Sequence, residues 1–298
     1  MARVLLTGLT GFNGSHLARS LVADGHDVHA IVRPGARLER VADVADRVTV
    51  HEDDGTAATL QAVVERAQPA ITYHLATNFL GAHTPDDVGP LVTDNVAFPA
   101  RIAEALADPS APPFVNVGTA WQHVGGAPYR PKNLYAATKQ AFEDVLRHYS
   151  DRRLLRTVTL NLYDTYGPLD HRGKLLATLI ERLRTGEPLL MSSGTQLIDL
   201  VHVDDVVAAL RLAGDGAAAQ TLPSGAVFAA SSGERRTVRD VVDALGRVAG
   251  APVPVEWGAR PDRDDEMLEH WDAGPPVPGW QPRTTLEQGL TALLQEPS

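Results

Sequence analysis

Leu5–Gly25 reads "LLTGLTGFNGSHLARSLVADG", and its glycines decide the fold. Gly8, Gly11 and Gly14 follow a short apolar run and open an amphipathic helical pattern, in the order Thr-Gly-x-x-Gly-x-x-Gly. A strand that turns straight into a helix this way needs residues without a Cβ. The backbone must bend tightly, and a pyrophosphate must come close to the free N–H groups of the helix N-terminus. A glycine trio alone is a weak signal. Here a second apolar run, "DVHAIVR" (Asp27–Arg33), returns at the distance expected of a strand–helix–strand unit, so the turn reads as a dinucleotide site.

The alternation continues outward from that unit. Strands are expected at Arg3–Gly8, Asp27–Arg33, Arg47–His51, Ala70–Ala76, Pro113–Gly118 and Arg156–Leu162, with helices near 13–24, 57–67, 94–107 and 134–149. Such a pattern predicts an α/β fold, a Rossmann-type doubly wound parallel sheet with helices on both faces. Beyond residue 163 the regularity fades into "SSGERR", "GAPVPVEWGARP" and "DAGPPVPGW". A smaller, interleaved C-terminal substrate lobe is expected there. The division is 1–162 for the dinucleotide-binding domain, with 196–230 returning to it, and 163–195 plus 231–298 for the lobe.

Composition sets the limits. A chain of 298 residues, 44% hydrophobic and 21% charged, can bury a large core. It has no cysteine, hence no disulfide and no thiolate nucleophile. The net charge of -10 opposes nonspecific binding to nucleic acid. No apolar run approaches the roughly 20 residues of a membrane span, and "MARVLLTGLTG" lacks the pattern of a signal peptide. The cytoplasm is the expected location. No Asp/Glu/His spacing supports a metal site, and His123 and His202 read as structural groups rather than ligands or acids.

The end of the second strand bears on the choice of dinucleotide. NAD sites usually place Asp or Glu about 20 residues after the loop, to hold the ribose hydroxyls. This chain has Arg33 there, with Arg37 and Arg40 close behind. A guanidinium can pair bidentately with a 2′-phosphate that a carboxylate would repel, so NADP(H) is the expected cofactor. Asp53, at the end of the third strand, is placed to accept from the adenine amino group.

The stretch "NLYAATKQAFEDVL" (Asn133–Leu146) holds Tyr135 and Lys139, a Tyr-x-x-x-Lys pair on one helical face. The chain has six tyrosines but only three lysines, Lys132, Lys139 and Lys174. About 0.06 such pairs are expected by chance. A carbonyl that accepts a hydride becomes an alkoxide and needs a proton. A phenol with an adjacent cation can supply it.

Together, "TGLTGFNG", "YHLAT", "VNVGTA", "YAATK", "YDTYGP" (Tyr163–Pro168), "IDLVHVDDVV" (Ile198–Val207) and "GWQPRTTLEQGL" (Gly279–Leu290) resemble the extended short-chain dehydrogenase/reductase family along essentially the whole chain. The resemblance implies a catalytic set of Thr119, Tyr135 and Lys139. It implies cofactor contacts at Gly8, Gly11, Phe12, Asn13, Gly14, Arg33, Arg37, Asp53, Asp54, Leu75, Ala76, Thr77, Val117, Tyr135, Lys139, Leu162 and Thr165. Candidate substrate contacts are Asn78, Trp121, Asp164, Arg172, Lys174 and Arg260, with Arg263 beside the last. A homodimer through helices 94–107 and 134–149 is also implied.

Within that family, sugar 4,6-dehydratases carry an Asp-Glu pair after the Ser/Thr position, where this chain has Ala120 and Trp121. Asp164 stands where an Asn usually meets substrate, and Ile198 replaces a diphosphate-binding Arg common among epimerases. These departures look more like the reductases of deoxysugar biosynthesis, such as CDP-paratose and CDP-abequose synthases. The expected reaction is therefore NADPH-dependent reduction of a nucleotide-linked 4-keto-6-deoxyhexose. A nucleotide-sugar epimerase with tightly held NAD and a noncatalytic NADP(H)-sensing regulator stay open as alternatives.

Overall fold

The computed structural model describes residues 1–262, 268–269 and 271–296. Its centre is a parallel sheet of seven strands. Six of them are β1 (Arg3–Thr7), β2 (Asp27–Val32), β3 (Val48–Glu52), β4 (Ile71–His74), β5 (Phe114–Thr119) and β6 (Thr157–Leu162). β1, β4 and β6 are buried almost end to end, as β-branched runs covered on both faces must be. The crossovers are α1 (Phe12–Ala23), α2 (Ala57–Ala67), a segment containing α3 (Val88–Val92) and α4 (Phe98–Leu106), and α5 (Leu134–Asp151). These strands and helices lie where the alternation in the sequence puts them.

The helix expected at 94–107 has a particular form. Residues Thr93–Ala97 make a π-helical turn before α4 begins. Pro99 explains it. A proline donates no N–H to the carbonyl four residues back, here that of Asn95, and its ring crowds that carbonyl, so the helix widens instead. The wider turn presents buried Asn95 inward.

After β6 the chain enters the lobe through β7 (Asp164–Tyr166), α6 (Leu175–Thr185), β8 (Leu189–Leu190), β9 (Leu197–Ile198) and β10 (Leu200–His202). It returns to the sheet with α7 (Val203–Ala218) and β11 (Ala226–Ala230), which pairs with β6 as the seventh strand. β12 (Arg236–Thr237), α8 (Val238–Ala249), β13 (Val255–Glu256) and α9 (Leu286–Gln295) complete the lobe. Its strands form only two-stranded ribbons: β7 with β10, β8 with β13 and β9 with β12. Leu179, Leu245 and Leu290, all fully buried, centre its own apolar cluster.

The sheet order is β11-β6-β5-β4-β1-β2-β3. From β1 the strands run outward one way through β2 and β3 and the other way through β4 to β6. Open parallel sheets bind ligands in the crevice beyond the strand ends at this switch point. Gly8, Leu75 and Thr119 all stand there, at the ends of β1, β4 and β5.

Candidate active site

The phosphate loop is shaped by steric necessity. Gly8 has a φ of +80°, and a Cβ on it would lie 2.6 Å from Ala76 N. A Cβ on Gly14 would lie 2.0 Å from the Gly8 carbonyl oxygen, so α1 can cross the loop only where Gly14 stands. α1 starts from Gly11 with no side-chain cap on its first turn. Asn13 Oδ1 is buried there with no partner among the described residues. Exposed helix-start N–H groups, a cradle closed to any Cβ and an orphaned acceptor fit the diphosphate of a dinucleotide. Thr7 ties the cradle to the neighbouring strand: its Oγ1 accepts from Ala76 N at 3.1 Å and shares a 2.8 Å hydrogen bond with His74 Nδ1.

The other residues expected at the cofactor are spread over the strands and the segments that follow them. Arg33 and Arg37 are exposed just past β2, and Arg33 has no ion-pair partner among the described residues. Arg40 turns back, donating to Thr10 O at 3.3 Å. Asp53 follows β3 and accepts from Gly55 N, while Asp54 is engaged by Thr56. Phe12 is buried beneath the Arg172 guanidinium, 4.2 Å from its ring centre. Leu75, Ala76 and Thr77 extend from β4. Val117 lies in β5, Leu162 ends β6 and Thr165 sits in β7.

Tyr135 and Lys139 project from the first turns of α5, whose start is capped by Asn133 accepting from Ala136 N at 2.9 Å. They are 8% and 2% exposed. Burial pushes the Tyr135 phenol up to about 12, opposed only in part by its hydrogen bond with the Thr77 side chain. Burial lowers the Lys139 ammonium to about 8, opposed by the charge of Glu143. At neutral pH the pair is thus a protonated phenol beside a protonated amine.

Thr119 ends β5 and starts a short 3₁₀ turn. Its Oγ1 accepts from Trp121 N at 3.3 Å, so the hydroxyl proton can be given to another oxygen. Its N–H donates to Gln122 Oε1 at 2.9 Å. Phe79, 47% exposed, stands edge-on to Tyr135 at 5.0 Å and 5.5 Å from the Trp121 ring. Lys132 lies over Trp121 at 4.7 Å, and Lys174 lies 5.9 Å from the Phe79 ring while pairing with Asp164 at 3.6 Å. All three lysines of the chain therefore gather about the Tyr135 face.

Four side chains here escaped the sequence reading. Asn95 is a hub: it accepts from Asn78 N at 2.7 Å and Thr77 Oγ1 at 3.1 Å, and donates to Asn78 O and Thr138 Oγ1. Gln122, Glu143 and Phe79 are the others. A buried amide must find partners, but no apolar period in the sequence marks Asn95 as buried. The substrate candidates divide. Asn78 donates to Asp94, Trp121 lies 6.5 Å from the Tyr135 ring, and Lys174, paired with Asp164, reaches the Phe79 ring that meets Tyr135. The Arg172 guanidinium is spent on Asp170, the Thr165 carbonyl and the Phe12 ring. Arg260 is exposed, held by its N–H to Met191 O, and Arg263 lies outside the described residues. Ile198 faces Arg236 in register across the β9–β12 ribbon, and that guanidinium is held by Glu234 and Glu287.

The two singled-out histidines have partners within the fold. His123 Nδ1 donates to Pro128 O at 2.7 Å, its Nε2 accepts from Asn161, and its ring stacks on Trp271 at 3.8 Å. His202 caps α7 by accepting from Asp204 N. No group of residues suited to a metal ion occurs among the described residues.

The sequence pattern of the NAD dependent epimerase/dehydratase family matches residues 4–222. The chain belongs to that family. The resemblance to extended short-chain dehydrogenase/reductases therefore stands, in sequence and in fold. A CDP-abequose synthase of Yersinia pseudotuberculosis is 27% identical over 70% of this chain and 71% of its own. A UDP-glucose 4-epimerase of Mycolicibacterium smegmatis is 28% identical over 98% and 97%. The crystal structure of UDP-glucose 4-epimerase with UDP-glucose from Thermotoga maritima superposes with a TM-score of 0.84, covering 98% of this chain and 97% of that one at 21% identity. That last likeness carries the fold.

Proposed function

We propose that this chain reduces the 4-keto group of a nucleotide-diphosphate-linked 6-deoxyhexose, with NADPH as cofactor. What carries the reading is the site beside Thr119. Ala120 and Trp121 put a methyl group and an indole where elimination of water needs an acid and a base, and Trp121 stands edge-on to Tyr135 at 6.5 Å. The remaining machinery is that of carbonyl reduction. The CDP-abequose synthases among its relatives support the same reading.

The Gly8–Gly14 cradle would hold the cofactor, which would supply the hydride. Arg33 and Arg37 receive the 2′-phosphate. The Thr119 hydroxyl donates to the substrate carbonyl oxygen and fixes its place. As that oxygen gains charge it takes the proton of the Tyr135 phenol, and the Lys139 ammonium on the same helical face stabilises the phenolate left behind. Lys174 and Asp164, with Asn78 and Trp121, border the sugar, and Lys174 faces the diphosphate. A second copy joined through residues 94–107 and 134–149 belongs to the same reading.

The pH dependence follows in sign. The Lys139 ammonium is lost as pH rises through about 8, so reduction slows across that range. The decisive assay follows NADPH absorbance with CDP- or dTDP-4-keto-6-deoxyglucose, with NADH for comparison. Turnover is expected with NADPH, and Tyr135→Phe should lower kcat by roughly 10²–10⁴. The full-length kinship to a UDP-glucose 4-epimerase favours one other reading, an epimerase with retained NAD. NAD released on denaturation, with no NADPH consumed, would decide for it.

A further inference from the structure

Glu143 stands one turn beyond Lys139 on α5, half-buried, and the reaction above gives it no task. Burial raises its carboxyl above the usual range. Its contact to the site runs through a single amide. Gln122, fully buried, donates from Nε2 to Glu143 Oε2 at 3.3 Å and to Gln140 Oε1 at 2.9 Å, while its Oε1 accepts from Thr119 N at 2.9 Å. The partners fix the orientation of that amide, because a backbone N–H can only donate and a carboxylate can only accept. The strand leaves room for it: a Cβ on Gly118 would fall 3.0 Å from Gln122 Oε1 and 1.9 Å from Asn161 Oδ1. One side chain thus clamps the backbone carrying Thr119 to the carboxylate behind Lys139.

A lysine this deeply buried sheds its proton unless an opposite charge compensates. The charged and titratable groups around it are few. From β4 comes His74, whose basicity burial and the Lys139 charge both lower. From α5 come Tyr135, Glu143 and, near the latter, exposed Asp144 and Arg147. From the turn after β5 comes only the neutral Gln122. Glu143 is the carboxylate that favours the ammonium.

We propose that Glu143, clamped by Gln122, is a positioning residue that keeps Lys139 protonated in the pH range where Tyr135 must give up its proton. Its role in turnover rests on the reduction reading. The electrostatic coupling does not, so the test reads the lysine itself.

Because the chain has three lysines, protein labelled with 13C at lysine Cε gives three side-chain signals, assignable with Lys132→Arg and Lys174→Arg. Lys139 is expected to titrate near 8 in the wild type. Glu143→Gln should lower that midpoint by about half a pH unit or more and leave Lys132 and Lys174 in place. Gln122→Leu keeps the carboxylate but releases it, and should move the midpoint the same way by less. If Glu143→Gln does not fold, Gln122→Leu decides alone. An unmoved or raised Lys139 midpoint overturns the proposal, and so does an equal shift at all three lysines. The titration needs neither cofactor nor substrate, so its failure and failure of the reductase assay are separate results.

Discussion

The parallel sheet and the C-terminal lobe solve the same problem by opposite means. In the sheet, neighbouring strands share long registers, such as the six pairs from Phe114 to Thr119 against Thr157 to Leu162. Position there is determined collectively, and each residue is one of many that agree. The lobe has only ribbons of two or three residues beside its apolar cluster, and some of its sequence-distant segments are tied to the sheet by individual contacts. Buried Asp205 at the start of α7 accepts from Arg283 N and Thr284 N at 3.0 Å each, while its carbonyl accepts from Trp280 Nε1. Trp271 stacks on His123 and its carbonyl accepts from the Tyr163 hydroxyl. The sheet thus rests on redundancy, whereas the C-terminal segments are joined to it in part by a few pins.

The contrast can be broken most severely at the start of α1, where the loop beside the sheet has no such redundancy. Gly14→Ala drives a Cβ into the Gly8 carbonyl, backbone against backbone. It should cost about 3 kcal/mol of stability and abolish dinucleotide binding. Calorimetry and cofactor titration would check this, and a variant that binds NADPH normally would refute the cradle.

Asp205→Ala removes a lobe pin and leaves two backbone N–H groups without their acceptor. A loss of about 2 kcal/mol is expected, seen as a lower unfolding midpoint in urea. Cofactor affinity should stay near wild type, because the cradle does not depend on that pin. Equal losses in stability and cofactor binding would erase the distinction between the two regions.

The smallest effect should come from Lys174→Met. A half-exposed pair with Asp164 contributes at most about 1 kcal/mol to stability, so the unfolding midpoint should hardly move. Substrate KM should nevertheless rise severalfold while cofactor affinity holds. An unchanged KM would remove Lys174 from the substrate side.

The same asymmetry explains what could be read from the sequence. Collective patterns are legible: strands, crossovers, the glycine cradle and the Tyr135–Lys139 pair all follow from period and spacing within one or two elements. Single contacts between distant segments are not. Nothing near Trp271 points to His123, and nothing in "HVDD" says which of its two aspartates will hold residues 283–284. Asn95 was hidden for another reason, since its inward turn depends on Pro99 widening the helix rather than on any apolar period. Likewise nothing near either residue in the sequence says that Arg172 lies over the Phe12 ring.

The gathering of every lysine about Tyr135 has a practical consequence for handling the protein. Arginine supplies nearly all the remaining positive charge, so the lysine amines open to acylating reagents are Lys132 beside Trp121 and Lys174 beside Phe79. Dye labelling, cross-linking or coupling to a sensor surface through lysine would grip the molecule beside the aromatic rings that meet Tyr135, and a tethered sample could look inactive while perfectly folded.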